Sequence, residues 1–140
     1  MALLKNGKYA VKFRSNVDHL EEVESITSKI AAEAGFDESS SDDLSIVITE
    51  LFNNAIHHGN KDDLNKDVKI EYTLQTDHLE ISVQDQGNGF LPDEIKNPLD
   101  PENLLAESGR GIYLVKMLMD ETKFDISDEC CKITIRKNLK

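Results

Sequence analysis

Between Ile48 and Asn60 the sequence reads ITELFNNAIHHGN, and within it Glu50, Asn54 and His58 recur at four-residue steps. That spacing stacks side chains along one side of a helix. Wound at about 100° per residue, the stretch places Leu44, Val47, Ile48, Leu51 and Ala55 in one apolar stripe, with Asn54 at its border and His58 inside it. A helix flank can carry solvated polar groups. A carboxylate, an amide and an imidazole in one ridge can also line a cleft that holds a metal-bound ligand. Carboxylate and amide oxygens suit Mg²⁺, and an amide binds a hard cation without adding charge. Zinc fits less well: His57 and His58 are adjacent and diverge on a helix, and no HExxH spacing is present.

Two glycine motifs follow. DQGNGF, Asp85 to Phe90, comes directly after an alternating strand. Glycines one residue apart open backbone turns closed to other residues and let a ligand approach the main chain. Asp85, at the strand end, is an acceptor able to take a hydrogen bond from an exocyclic amine. ESGRGIYLVK, Glu107 to Lys116, is a glycine pair opening a helix, whose unpaired N–H groups and positive dipole end make an anion site. Neither motif is specific alone; their order, behind the Glu50–Asn54 helix, is. GxxxxGK[ST], GxGxxG and the VAIK, HRD and DFG set are all absent, which sets aside P-loop, Rossmann and eukaryotic-type kinase logic.

The elements that must hold these residues follow from periodicity. Tyr9, Val11 and Phe13 alternate with basic residues as a half-buried strand, and Val17, Leu20, Val23, Ile26, Ile30 and Ala34 mark an amphipathic helix stopped by Gly35. ESSSDD supplies cap chemistry for a second helix, about Asp42 to His58. Val68 to Leu74 and Leu79 to Val83 alternate as two strands joined by the short hairpin connection TDH. Residues 90–108 hold all three prolines and no sustained period, a long loop of the kind that is usually functional. A helix from near Gly109 and strands at Phe124–Ile126 and Ile133–Ile135 complete the order β-α-α-β-β-loop-α-β-β. This predicts an α+β fold, a two-layer sandwich whose mixed, mostly antiparallel sheet is covered on one face by about three helices.

The 140 residues, 39% apolar and 31% charged, predict one globular domain over 1–140. A net charge of −11 argues against duplex nucleic acid and anionic lipid as partners. A nucleotide would then need a counter-cation or a locally positive site. Adjacent Cys130 and Cys131 suit neither a disulfide framework nor a metal cluster. With no apolar run for a signal peptide or a membrane span, a cytoplasmic location is expected.

ELFNNAIHHGN, DQGNGF and SGRGIYLVKMLMD resemble the N, G1 and G2 boxes of the GHKL (Bergerat-fold) ATPase superfamily, and over most of the chain the sequence is most similar to the RsbW/SpoIIAB-type anti-sigma-factor serine kinases. The resemblance implies ATP and Mg²⁺, with Asn54 as the metal ligand and Glu50 as the general base toward a serine hydroxyl or water. It implies that Asp85 receives the adenine amine and that Gly87 and Gly89 let the chain pass the base. Gly109 and Gly111 would open the helix under the phosphates, His58 would join the nucleotide contacts, and residues 90–108 would form an ATP lid. Histidine kinases commonly carry Asn where Glu50 stands and need a histidine-bearing domain, so Glu50 and the chain length favour the serine-kinase side.

Two positions depart from that pattern. Some of these kinases place an arginine where Glu107 stands, and here Arg110 is the residue able to supply positive charge. Many relatives carry Gly-Thr where this chain has Cys130-Cys131, so a threonine-water contact to adenine does not carry over. The implied function is phosphorylation of a STAS-type anti-anti-sigma protein in a bacterial partner-switching system, with a sigma factor or other regulator as second partner and a homodimer as one state. The alternative is a non-catalytic module whose nucleotide-dependent lid sets partner affinity; a plain ATPase or isolated kinase fragment is a third reading.

Overall fold

The computed structural model describes residues 3–87, 107–126 and 130–139. Its elements are β1 (Lys8–Arg14), a 3-10 turn (Val17–His19), α1 (Leu20–Ala34), α2 (Glu38–Asn54), a π-turn (Ala55–Gly59), β2 (Asp67–Leu74), β3 (His78–Gln84), α3 (Glu107–Leu118), β4 (Glu121–Ile126) and β5 (Cys131–Asn138). The strands form one sheet in the order β1-β2-β3-β5-β4. Every pairing is antiparallel, so the sheet expected as mixed is not mixed among the described residues. The expected lid and Gly89 lie outside the described residues.

Alternation sets the register. Val11, Ile70, Val83, Ile133 and Phe124 pair in one row across all five strands, and Tyr9, Tyr72, Ile81 and Ile135 in another. A one-residue slip of any strand would turn its apolar set outward. These rows meet Val23, Ile30, Leu44, Val47, Ile48, Leu51, Phe52 and Val115 of the helices in a single core, while Lys8, Lys12, Arg14 and Lys69 are exposed on the strands. The three helices thus cover one face.

Local chemistry fixes the helix ends. Gly35 closes α1 at φ 91°, with its N–H on Ala32 O and the Phe36 N–H on Ala31 O, the paired bonds of a Schellman ending. Asp37, rather than a residue of ESSSDD, caps α2 by accepting from the Ser40 N–H at 2.8 Å; the serine run forms the first turns of the helix. At the far end of α3, Lys137 Nζ donates to Leu118 O at 3.1 Å and lies 3.9 Å from Asp43 Oδ2, tying α3, β5 and α2 together.

Inside the core, the Tyr72 hydroxyl lies 2.7 Å from Thr27 Oγ1. Thr27 donates to Val23 O at 2.9 Å, so the phenol is the donor in the pair. Burial pushes the Tyr72 pKa from 10.0 up to about 12. An acid held protonated in the fold contributes stability that is complete below its unfolded value and lost as pH rises toward its folded one. Tyr72→Phe is expected to lose about 1 kcal/mol at neutral pH. Urea titrations should also show a shallower decline for the variant than for the parent as pH rises from 10 to 12.

Candidate functional site

Glu50 and Asn54 project from the last two turns of α2, both half-buried. Their neighbour is α3. A Cβ added at Gly111 would stand 2.3 Å from Glu50 Oε2, so the carboxylate rests against this helix. The described part of this helix runs from Glu107 to Leu118 and includes both Gly109 and Gly111. The side chains of Glu107 and Arg110 lie outside the described residues. Neither Glu50 nor the Asn54 amide is engaged in a hydrogen bond or ion pair with a described residue. Both therefore offer oxygens that no described residue uses.

Past Asn54 the helix widens. The Asn60 N–H bonds to Ala55 O at 2.8 Å, a reach of five residues. A π-turn of this kind rotates each residue by less than an α-helical step. Ala55, Ile56 and Gly59 consequently face inward, and His57 and His58 are exposed. The expectation that His58 falls within the apolar stripe is corrected here: the wheel assumed a constant pitch, and the pitch changes three residues earlier. His57 instead pairs with Asp62, Nδ1 to Oδ1 at 2.5 Å. Lys61 and Asp62, at φ 52° and 61°, take the left-handed conformation as the chain leaves the turn.

Gly59 is pressed onto the end of β3. A Cβ at Gly59 would lie 1.9 Å from Asp85 Oδ2, and a Cβ at Gly87 would lie 1.6 Å from Gly59 O. Asp85, 5% exposed, accepts through Oδ1 from the N–H groups of Gly87 at 3.0 Å and Cys131 at 3.2 Å. Its own N–H bonds to Cys131 O at 3.0 Å. Burial raises its pKa despite the two donors and the nearby Lys66. Oδ2 receives no hydrogen bond from a described residue, which leaves an acceptor for an amine.

Asn60, 1% exposed, connects this stack to the sheet. Its Oδ1 accepts from the Gln86 N–H at 2.7 Å; its Nδ2 donates to Asp67 O at 3.0 Å and to Ser15 Oγ. Gly59 and Asn60 were not singled out by spacing. A glycine followed by asparagine at a helix end is an ordinary stop signal, and nothing in it announces this use. Cys131 sits in the core with its thiol pushed up to about 12, by burial first and then by Asp85. Cys130 faces Gln84, whose Nε2 is 3.4 Å from its Sγ.

Among the described residues no three His, Cys, Asp or Glu side chains gather as a metal site, and no helix is long and apolar enough to cross a membrane. The donor set instead suits a cation brought in with a ligand: one amide and one carboxylate beside α3, and a carboxylate oxygen against Gly59 that accepts from no described residue.

An acceptor recess, a Glu–Asn ridge and a glycine-bearing helix on a five-stranded sheet define an ATP-binding domain of the GHKL kind. The chain belongs to the histidine kinase-like ATPase domain family, whose pattern matches residues 13–137. It is similar to the serine-protein kinase RsbW of Oceanobacillus iheyensis, 32% identical over 104 residues that cover 70% of this chain and 66% of the relative. The RsbW of Bacillus licheniformis is 37% identical over 105 residues, covering 71% and 66%. The match thus spans a little under two thirds of these relatives' length. Among solved structures, the RsbU and RsbW domains of a Mycobacterium tuberculosis protein superpose with a TM-score of 0.69 over 93% of this chain and 32% of that one, at 17% identity, a likeness of fold.

Two expectations follow. Asp85→Asn keeps the Oδ1 acceptor and removes a buried charge. Because the raised pKa means the ionised form opposes folding once pH exceeds it, the variant should be at least as stable as the parent at neutral pH. Its ATP affinity should fall about ten- to a hundredfold for the lost charged acceptor; calorimetry and thermal melts check both. Gly87→Ala collides with backbone and should cost about 2 kcal/mol or more, whereas Gly111→Ala meets the end of a flexible side chain and should melt near the parent temperature.

Proposed function

We propose that this chain is an ATP-dependent serine/threonine protein kinase and anti-sigma regulatory factor of a bacterial partner-switching system, acting on a STAS-type anti-anti-sigma protein. The observation that carries this reading is the contact of Glu50 with Gly111. It sets a carboxylate with no partner among the described residues beside the start of α3, one helical turn from the Asn54 amide. The relatives' printed names, serine-protein kinase RsbW, support it.

Bound magnesium-ATP would supply the phosphoryl group, with its cation offsetting charge on the phosphates. Asn54 would ligate the metal through its amide oxygen, and Asp85 Oδ2 would accept from the adenine amine. Gly87 and Gly89 would give the base close access to the chain; Gly109, Gly111 and Arg110 would face the phosphates, and His58 would reach the nucleotide from the outer side of the π-turn. Glu50 would take the proton that the serine hydroxyl loses as its oxygen becomes bonded to phosphorus. Phosphate on the substrate would then be repelled by a protein of net charge −11, releasing the product and freeing this chain for a sigma factor or other regulator. The setting is cytoplasmic, with no nucleic acid or membrane as partner, and a homodimer is compatible with it.

Incubation with labelled ATP, Mg²⁺ and a STAS-domain protein tests the reading. Label should reach a partner serine, and Glu50→Gln should reduce transfer by about a hundredfold or more while ATP binding persists. ATP uptake without transfer to any STAS partner would replace the kinase with a non-catalytic module whose lid state controls partner binding.

A further inference from the structure

We propose that Asn60 is the positioning residue for base selection: its buried amide holds the Gly59–Asp85–Gly87 stack in the one arrangement that aims Asp85 Oδ2 at an exocyclic amine. This rests on the reading of the recess as an adenine site and adds to it a residue that touches no ligand.

Four chain segments meet at Asn60. Its main-chain N–H closes the π-turn on Ala55 O at 2.8 Å, which fixes the Gly59 peptide just before it. Its Oδ1 holds the Gln86 N–H at 2.7 Å, between Asp85 and Gly87. Its Nδ2 reaches the exit of β1 at Ser15 Oγ and the start of β2 at Asp67 O. Gln86 is gripped a second time, since its Oε1 accepts from the Asp67 N–H at 2.7 Å. Ser15 is anchored in turn, its hydroxyl and its N–H both on Lys66 O at 3.0 Å.

An amide is required here. One end must accept and the other must donate twice, all within a 1% exposed site. Aspartate keeps the acceptor and loses the donors; alanine loses all three bonds and leaves buried groups unpaired. The two ends also serve different purposes. Oδ1 faces the recess through Gln86, and Nδ2 faces the sheet through Asp67 and Ser15. With Oδ1 gone, the Gln86 peptide is released on one side. Gly59 and Gly87, stacked with no space for even a methyl group, can then slide, and Asp85 turns with them.

The test measures Mg²⁺-ATP and Mg²⁺-GTP affinity by calorimetry on the full chain and on Asn60→Ala, Asn60→Asp and Gln86→Pro, together with amide hydrogen exchange of nucleotide-free protein. GTP is the probe because guanine presents a carbonyl where adenine presents its amine. In Asn60→Ala, exchange at Gln86 and Gly87 should quicken, and the ratio of ATP to GTP affinity should fall about tenfold or more. Asn60→Asp retains the acceptor, so its ratio should stay within about threefold of the parent while its melting temperature drops. If Asn60→Ala does not fold, Gln86→Pro decides, because it removes the N–H that Oδ1 holds and leaves the Asn60 amide and its bonds to the sheet in place; the ratio should again fall about tenfold or more. An unchanged ratio in folded Asn60→Ala, or in Gln86→Pro where that variant decides, overturns the assignment. A parent protein that binds ATP no better than GTP overturns it too. A parent that takes up neither nucleotide fails at the adenine site itself, a result separable from the others because no variant is needed to see it.

Discussion

A carboxylate buried without a cation is costly, and much of the site geometry follows from where this fold puts one. Asp85 leaves the end of β3 and enters the interior, where no ion pair with a described residue neutralises it. Two backbone N–H groups hold one oxygen, and the other accepts from no described residue. The start of β5 is bound to this residue through both main-chain groups of Cys131, so the sheet register and the aim of the carboxylate are set together. Glycines at 59 and 87 are then obligatory, because any side chain would occupy the space of the carboxylate or of the peptide against it. Such a residue opposes folding when ionised, and a ligand that donates to it returns part of that energy as affinity.

The second constraint is a change of pitch. α2 presents Glu50 and Asn54 to α3 as a regular helix, and had it continued unchanged, His58 would have turned inward where Gly59 now stands. Widening at Ala55 brings a residue without a side chain to Asp85 and sends the imidazoles outward. The two halves of the site, a ridge for the metal-bearing end of a ligand and a recess for its base, thus lie on one continuous stretch with two helical geometries. π-turns are often found where function demands such an adjustment.

Much of this could be read before the structure. Strands β1, β2 and β5 alternate because one sheet face is buried and the other wet, and the buried stripe of α2 matches its periodicity from Leu44 to Ala55. What escaped had physical causes. His58 was misplaced because a wheel carries one angle per residue and cannot register a widened turn. The cap of α2 lies at Asp37, just ahead of the serine run, since several neighbouring residues there could have capped a helix equally well. Asn60 escaped entirely: its side-chain partners stand 45, 7 and 26 residues away, and pattern within one element says nothing of bonds between elements. The histidine kinase-like family and its α+β fold were legible from three short boxes, whose order is hard to produce by coincidence.

The burial of Cys131 turns the protein into its own gauge. A thiol pushed to about 12 and 2% exposed is closed to alkylating reagents while β5 stays seated beside Asp85. Labelling at Cys131 must therefore wait for that strand to lift, and its rate counts those openings. Half-buried Cys130, one residue away, provides the internal reference against which such breathing can be timed.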